Sequence, residues 1–196
     1  MRYARAILNR IGIWWEKYYI MHAKIDINLI EQKYFELTKD KNYEIRRLEY
    51  ADFSHADKSF VKKQKLAKYK KWFADDKREA YGIFIDGVLA CSGWICYGRF
   101  EITGRLSFLC GDNFALLQDA YTNSLFRQKG LHKLINIYRI KKVYEKGINE
   151  VFTIVRWNNT PALKTQSYST LKVGETVSVY SIFKNEFMRF SKNDYK

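Results

Sequence analysis

"DAYTNSLFRQKGLHKLINIYRI", residues 119–140, passes from an extended polar and aromatic segment through Arg127, Gln128, Lys129 and Gly130 into a long helical pattern. Leu131, Leu134, Ile135, Tyr138 and Val143 keep helical spacing, and Gly147 supplies a C-terminal stop. A strand that feeds a helix through a glycine turn gathers backbone N–H groups and the positive end of the helix dipole at one point. That point suits a phosphate or pyrophosphate. Lys129 and Lys133 add charge to it. The second and third glycines of a dinucleotide fingerprint are missing, as is the Gly-Lys-Ser/Thr of a P-loop.

Working outward, "FALLQDAYTN" before the turn reads as a strand, and "AYGIFIDGVLACSGWICYG" as two strands joined by Asp86-Gly87. Those two residue types tolerate the positive φ angles of a two-residue hairpin turn. "YEIRRLEY" alternates as a short strand; Asp52 and Ser54 are helix-cap types, and a helical region follows over about 58–74. Downstream, "EVFTIV" is a buried strand, Thr160-Pro161 opens another helix with Gly174 near its far end, and "TVSVYSIF" is a last strand, with 187–190 pairing beside it. The order predicts an α/β (α+β) chain, a mixed sheet with helices on its faces.

A chain of 196 residues with 47% hydrophobic content can bury a full core. It carries 35 basic against 21 acidic residues, a formal charge of +14, which favours a negatively charged partner or substrate. Between 58 and 78, nine basic residues face only Asp75 and Asp76, a net of +7. That segment is either a solvated face or an electrostatic funnel for an anion. The cysteines at 91, 96 and 110 form no Cys-x-x-Cys pair, and His22, His55 and His132 lack ligand spacing, so neither a disulfide framework nor a metal site is expected. A reduced, cytoplasmic setting fits best.

Residues 1–42 are expected to be an N-terminal helical extension, with the main domain at 43–196. Ile7, Ile11, Trp14, Tyr18, Met21 and Ile25 alternate at spacings of four and three, as on one stripe of an amphipathic helix. The apolar run breaks at Glu16 and is too short to cross a bilayer. Residues 3–25 could dock on their own domain, on a second subunit as a homodimer contact, or at the inner surface of an anionic membrane, where Trp, Tyr and basic residues are at home.

"RQKGLH", Arg127 to His132, resembles the pyrophosphate loop of the GNAT superfamily of acyl-CoA-dependent N-acetyltransferases, whose pattern is Gln/Arg-x-x-Gly-x-Gly/Ala between a strand and a long helix. The element order from Tyr43 to Phe183 agrees with that fold. The resemblance implies a mostly antiparallel, twisted sheet and acetyl-CoA as co-substrate, with no metal. It implies that Arg127, Gln128, Lys129, Gly130, Leu131 and His132 wrap the pyrophosphate. Ala120, Tyr121 and Thr122 would supply main-chain contacts to the pantetheine arm, and Asn159 would face the cofactor. His132 departs from the pattern, which has Gly or Ala there. The family's tyrosine stands seven residues after the asparagine, where this chain has Gln166; Tyr168 is the nearest candidate to protonate the leaving thiolate.

The implied chemistry is direct attack of an amine on the thioester in a ternary complex, with a general base and a backbone N–H stabilising the oxyanion near 120–122. Asp119 is the best-placed acid side chain. The +7 segment favours an anionic small-molecule acceptor, such as the amino sugar of a nucleotide- or lipid-linked saccharide. A protein or peptide amine is the alternative within the enzyme class. Outside it stands a non-catalytic module that binds coenzyme A or nucleic acid, although no RNA-binding signature or helix-turn-helix spacing appears.

Overall fold

The computed structural model describes residues 13–54, 56, 61, 63–102, 107–183 and 185–192. Its main sheet has eight strands: β1 (Trp14–Lys24), β2 (Glu44–Arg47), β3 (Arg78–Ile85), β4 (Val88–Cys96), β7 (Phe114–Thr122), β8 (Glu150–Arg156), β9 (Lys172–Ile182) and β10 (Asn185–Lys192). Their order is β10-β9-β1-β8-β7-β4-β3-β2. Every neighbouring pair is antiparallel except β7 with β8. A separate ribbon pairs β5 (Arg99–Glu101) with β6 (Ser107–Leu109).

Among the described residues five helices cover the sheet: α1 (Ile27–Thr38), α2 (Tyr50–Ser54), α3 (Lys63–Phe73), α4 (Leu131–Glu145) and α5 (Thr160–Tyr168). Alternation along the strands separates two cores. Tyr81, Ile83 and Ile95 face the α4 side with Leu134, Ile135 and Ile140. Ala80, Phe84 and Trp94 face the other side with Phe53 of α2 and Tyr69 of α3. Trp94 is fully buried within van der Waals reach of four other aromatic rings, at centroid distances from 4.8 Å to 6.0 Å.

The β3–β4 hairpin turns on Asp86 and Gly87, at φ 50° and 74°. Gly147 follows α4 at φ 79°, a left-handed stop. Helix α5 is capped one residue earlier than the sequence suggests: the Asn159 side chain accepts from the Ala162 N–H at 3.4 Å. Gly174 lies in β9, beyond α5, where the His22 ring occupies the space a Cβ would need.

The amphipathic helix expected at the N-terminus is a correction. Its residues 1–12 lie outside the described residues, and residues 14–24 are not helical but form β1, hydrogen-bonded to β8 on one edge and β9 on the other. Trp14, Trp15, Tyr18, Tyr19 and Ile20 have high strand propensity, and their helix-like spacing is a coincidence that two flanking strands override. Helix α1 follows, capped by Asp26, whose side chain accepts from the Leu29 N–H at 3.2 Å. Residues 14–38 are therefore built into the sheet and its helical layer rather than appended to them.

Candidate active site

The two parallel strands determine where the site lies. β7 and β8 pair only over Phe114–Leu116 and Glu150–Phe152. The Thr153 hydroxyl donates to the Leu117 carbonyl at 2.7 Å, and beyond that tie the strands part. A cavity of about 830 Å³ fills the gap, bounded by Leu117 to Ala120 of β7 and Thr153 to Arg156 of β8. Helix α5 contributes Asn159, Ala162 and Gln166; helix α3 contributes Lys65, Lys68 and Trp72. A second hollow of about 630 Å³ continues from it past Lys68 and Trp72 to Lys71 and Arg78.

β7 is irregular where it borders this cleft. Its register with β4 passes from Trp94↔Gln118 to Ser92↔Tyr121, so Asp119 and Ala120 together face the single residue Gly93. This is a β-bulge, and Asp119 takes the left-handed conformation at φ 47°. Its carboxylate, buried to 16% exposure, accepts from Lys65 Nζ at 2.6 Å and Lys68 Nζ at 3.4 Å. Beside it the Tyr69 phenol is held neutral well above its usual range, by burial first and then by the Asp119 charge.

At the end of β7 the chain makes a short 3-10 turn, Ser124–Phe126, tied down by buried Asn123, whose side chain accepts from the Leu125 N–H at 3.1 Å. Gln128 and Gly130 then take φ 65° and 76°, and α4 begins with no side-chain cap on its N-terminus. A Cβ at Gly130 would meet nothing within 4 Å, so the position calls for glycine through its φ rather than for space. Arg127, Gln128 and Lys129 are exposed around this uncapped end of a 15-residue helix. Such an arrangement fits a pyrophosphate.

Neither a family model nor a curated protein matches the chain by sequence. Solved structures match it by shape. A functionally unknown conserved protein from Staphylococcus epidermidis aligns with a TM-score of 0.61 at 12% identity, over 95% of this chain and 66% of that one, just under two thirds of its length. A GCN5-related N-acetyltransferase-like protein from Streptococcus suis aligns at 0.58 and 11% identity, over 95% and 68%. A GCN5-related glucosamine N-acetyltransferase region in a fungal multi-domain β-N-acetylglucosaminidase aligns at 0.61 and 12%, over 92% of this chain and 22% of that one. The fold is that of the GNAT superfamily.

On this GNAT fold, the residues singled out from the sequence fall into three groups. Asp119, Ala120, His132 and Asn159 line the cleft together. Tyr121 and Thr122 continue β7 past the bulge, and Arg127 to Leu131 form the turn and enter the helix. Tyr168 stands apart. It ends α5, its ring lies under Lys133 Nζ at 4.5 Å and Lys33 Nζ at 4.8 Å, and it does not border the cavity. Gln166 does border it, with its side-chain carbonyl accepting from Asn136 at 3.0 Å. Burial, with a contribution from the Arg139 charge, pushes the His132 imidazole down to about 4, so it faces the cleft uncharged at neutral pH.

The sequence reading missed Arg139 and the cleft face of β1, where Tyr18 borders the cavity. Arg139 had left a signal, since it stands four residues after Ile135 and four before Val143, in the apolar stripe of α4. Tyr18 had none, because its place depends on β1 pairing with strands more than a hundred residues away.

Proposed function

We propose that this protein is an N-acetyltransferase that moves an acetyl group from acetyl-CoA to a primary amine, and that the amine belongs to an anionic small molecule such as an amino sugar bearing a phosphate or diphosphate. One observation carries the reading: the parting of β7 and β8 opens beside an uncapped helix N-terminus, with a β-bulge between them. The exposed Arg127 and Lys129 and the first turn of α4 are suited to hold the pyrophosphate of coenzyme A, and the β7 backbone from Ala120 to Thr122 its extended arm. Bound acetyl-CoA supplies an activated acyl carbon with a thiolate leaving group. The bulged backbone at 119–120 turns main-chain groups out of the ladder beside the cleft, as oxyanion stabilisation requires. Asp119 is the carboxylate available to take the amine's proton.

The acceptor's charge follows from α3. Lys65 and Lys68 border the cleft and Lys71 and Arg78 its extension, while Glu101 borders both and Asp119 the cleft. The test is free-thiol release from acetyl-CoA with glucosamine 6-phosphate against glucosamine, beside a melting curve with and without acetyl-CoA. A ligand at a hundredfold over its dissociation constant stabilises by about 2.7 kcal/mol. Gly130→Trp, strained by its φ, is expected to lose that shift. Turnover of the neutral sugar at equal or greater efficiency than the phosphate would sink the anionic acceptor; no thiol release and no shift would sink acetyl transfer.

A further inference from the structure

The floor of the cleft holds a cation with no carboxylate partner. Arg139 reaches from α4 to the underside of the sheet and is fully buried. Its Nη1 donates to the Trp94 carbonyl at 2.7 Å and the Gln118 carbonyl at 3.0 Å, its Nε to the Ile135 carbonyl at 3.3 Å, and its Nη2 to the Asn136 side-chain oxygen. All four acceptors are neutral, and among the described residues no ion pair reaches it. Burying an ion costs several kcal/mol even after relaxation, and a well-packed apolar side chain of similar volume is often at least as stable. Stability of the helix alone gives no reason for a charge here.

The place where the guanidinium sits does give one. Trp94 and Gln118 are the last paired residues before the ladder slips, so Nη1 clasps both strands at the edge of the bulge. On the far side of that edge, Gly93 leaves room for it: a Cβ there would lie 2.8 Å from the guanidinium carbon. Arg139 borders the same cavity as Asp119, Ala120 and His132.

We propose that Arg139 is a positioning residue for acetyl transfer: it pins the Gln118 carbonyl so that the bulged backbone at 119–120 faces the cleft, and it fixes a positive charge beneath the atoms on which negative charge develops. This rests on the acetyltransferase reading. In that reaction the amine nitrogen bonds to the acyl carbon and the carbon–sulfur bond breaks. The amine's proton leaves through Asp119 or water, and the thiolate is protonated as it departs. Charge gathers first on the acyl oxygen and then on sulfur, and a fixed, buried cation below them favours both stages.

The test compares the full-length protein with Arg139→Lys, which keeps the charge but lacks the planar fork, and Arg139→Gln, which loses both. Amide hydrogen exchange at 118–121, with β9 as internal control, is expected to rise at least about tenfold in both variants. The kcat is expected to fall about 10²- to 10³-fold in the Gln variant and less in the Lys variant, as for loss of a preorganised electrostatic contact. The KM for acetyl-CoA is expected to stay within about threefold, a free-energy change well under 1 kcal/mol. Unchanged exchange at the bulge, or equal kcat in folded Gln variant and parent, would overturn the assignment. Equal losses in the Lys and Gln variants would overturn its electrostatic half. Should the Gln variant not fold, Gly93→Ala takes the guanidinium's space with Arg139 still in the chain, and the same two readouts apply. Absence of turnover by the parent on any amine defeats the acetyltransferase reading instead, and exchange then decides whether Arg139 holds the bulge.

Discussion

Among the described residues two charged ones, Glu79 and Arg139, are buried as whole residues, and their surroundings are opposite in kind. Glu79, at the start of β3, accepts from the phenols of Tyr81 and Tyr97 at 3.2 and 3.1 Å and from Lys146 Nζ at 2.9 Å, with Arg47 at 3.4 Å. Burial alone would raise its carboxyl; the hydrogen bond from Lys146 and the charges of Lys146 and Arg47 outweigh that and hold it below the usual range. This knot ties β2, β3, the end of β4 and the end of α4 together. Arg139 has only neutral acceptors, and burial pulls its guanidinium down to about 10. A charge paired with its opposite at the rim of the sheet is architecture; one under a cleft that feels the Asp119 carboxylate only through space, with no ion pair, is placed to meet a charge that arrives later.

The hardest way to break that contrast is to fill the space at Gly93. Gly93→Ala is expected to lower stability by roughly 2–4 kcal/mol, the range of overpacking joined to disturbed buried hydrogen bonds. It should also reduce kcat about a hundredfold, read by denaturant unfolding and steady-state kinetics. A second change, Arg139→Leu in the same chain, should recover most of the stability and none of the turnover. Recovery of both would mean that the guanidinium is merely bulky.

His132 sharpens the contrast through pH. Its imidazole titrates near 6.5 in the unfolded chain and at about 4 in the fold, so between those values the unfolded state takes up a proton that the folded state refuses. Stability should therefore fall as pH drops from 6.5 to 4, by about 3 kcal/mol from this residue, and level off below. His132→Gln should flatten the curve in that window. Glu79 acts in a lower one: because its folded carboxyl lies below the usual value, its contribution is present above about pH 4.5 and is lost as pH falls further. An unchanged slope between 6.5 and 4 in His132→Gln would show the imidazole to be solvated rather than part of the cleft floor.

Glu79→Gln tests the other half. With two cations and two phenols left around a neutral amide, the loss expected is about 2 kcal/mol of stability, with kcat per folded molecule unchanged. A drop in kcat would mean that the knot communicates with the cleft and that the architectural reading is incomplete.

The same contrast explains what could be read from the sequence. Local chemistry was legible: Asp86-Gly87 makes a hairpin because both residues must take positive φ, and Gly147 ends α4 for the same reason. The turn at Gly130 was visible because glycine is the residue type for φ 76°. Features set by distant partners were hidden. The strand at 14–24 depends on two neighbours far along the chain, and the left-handed Asp119 depends on a slip against Gly93. Tyr168 looked eligible by nearness in sequence, yet helical geometry turns Gln166, two residues earlier, toward the cavity.

The smallest effect concerns half-buried Lys65 and exposed Lys68, whose ammoniums differ from Arg139 in being partly solvated and already paired with Asp119. Pairs that keep one solvated partner contribute about 0–1 kcal/mol, but removing both lysines also leaves the 16% exposed Asp119 carboxylate unpaired, so Lys65→Gln/Lys68→Gln should melt below the parent by about 1 kcal/mol. Their value lies in attraction. If the acceptor is anionic, the double variant should raise its KM about tenfold at low salt, equivalent to about 1.4 kcal/mol, and leave a neutral amine's KM unchanged. At about 1 M salt, where the screening length is about 3 Å, the difference should largely vanish, whereas the kcat loss in Arg139→Gln should persist because water and ions do not reach that charge. Equal salt sensitivity at the two sites would mean that the cleft floor is open to solvent and that its cation has no special standing.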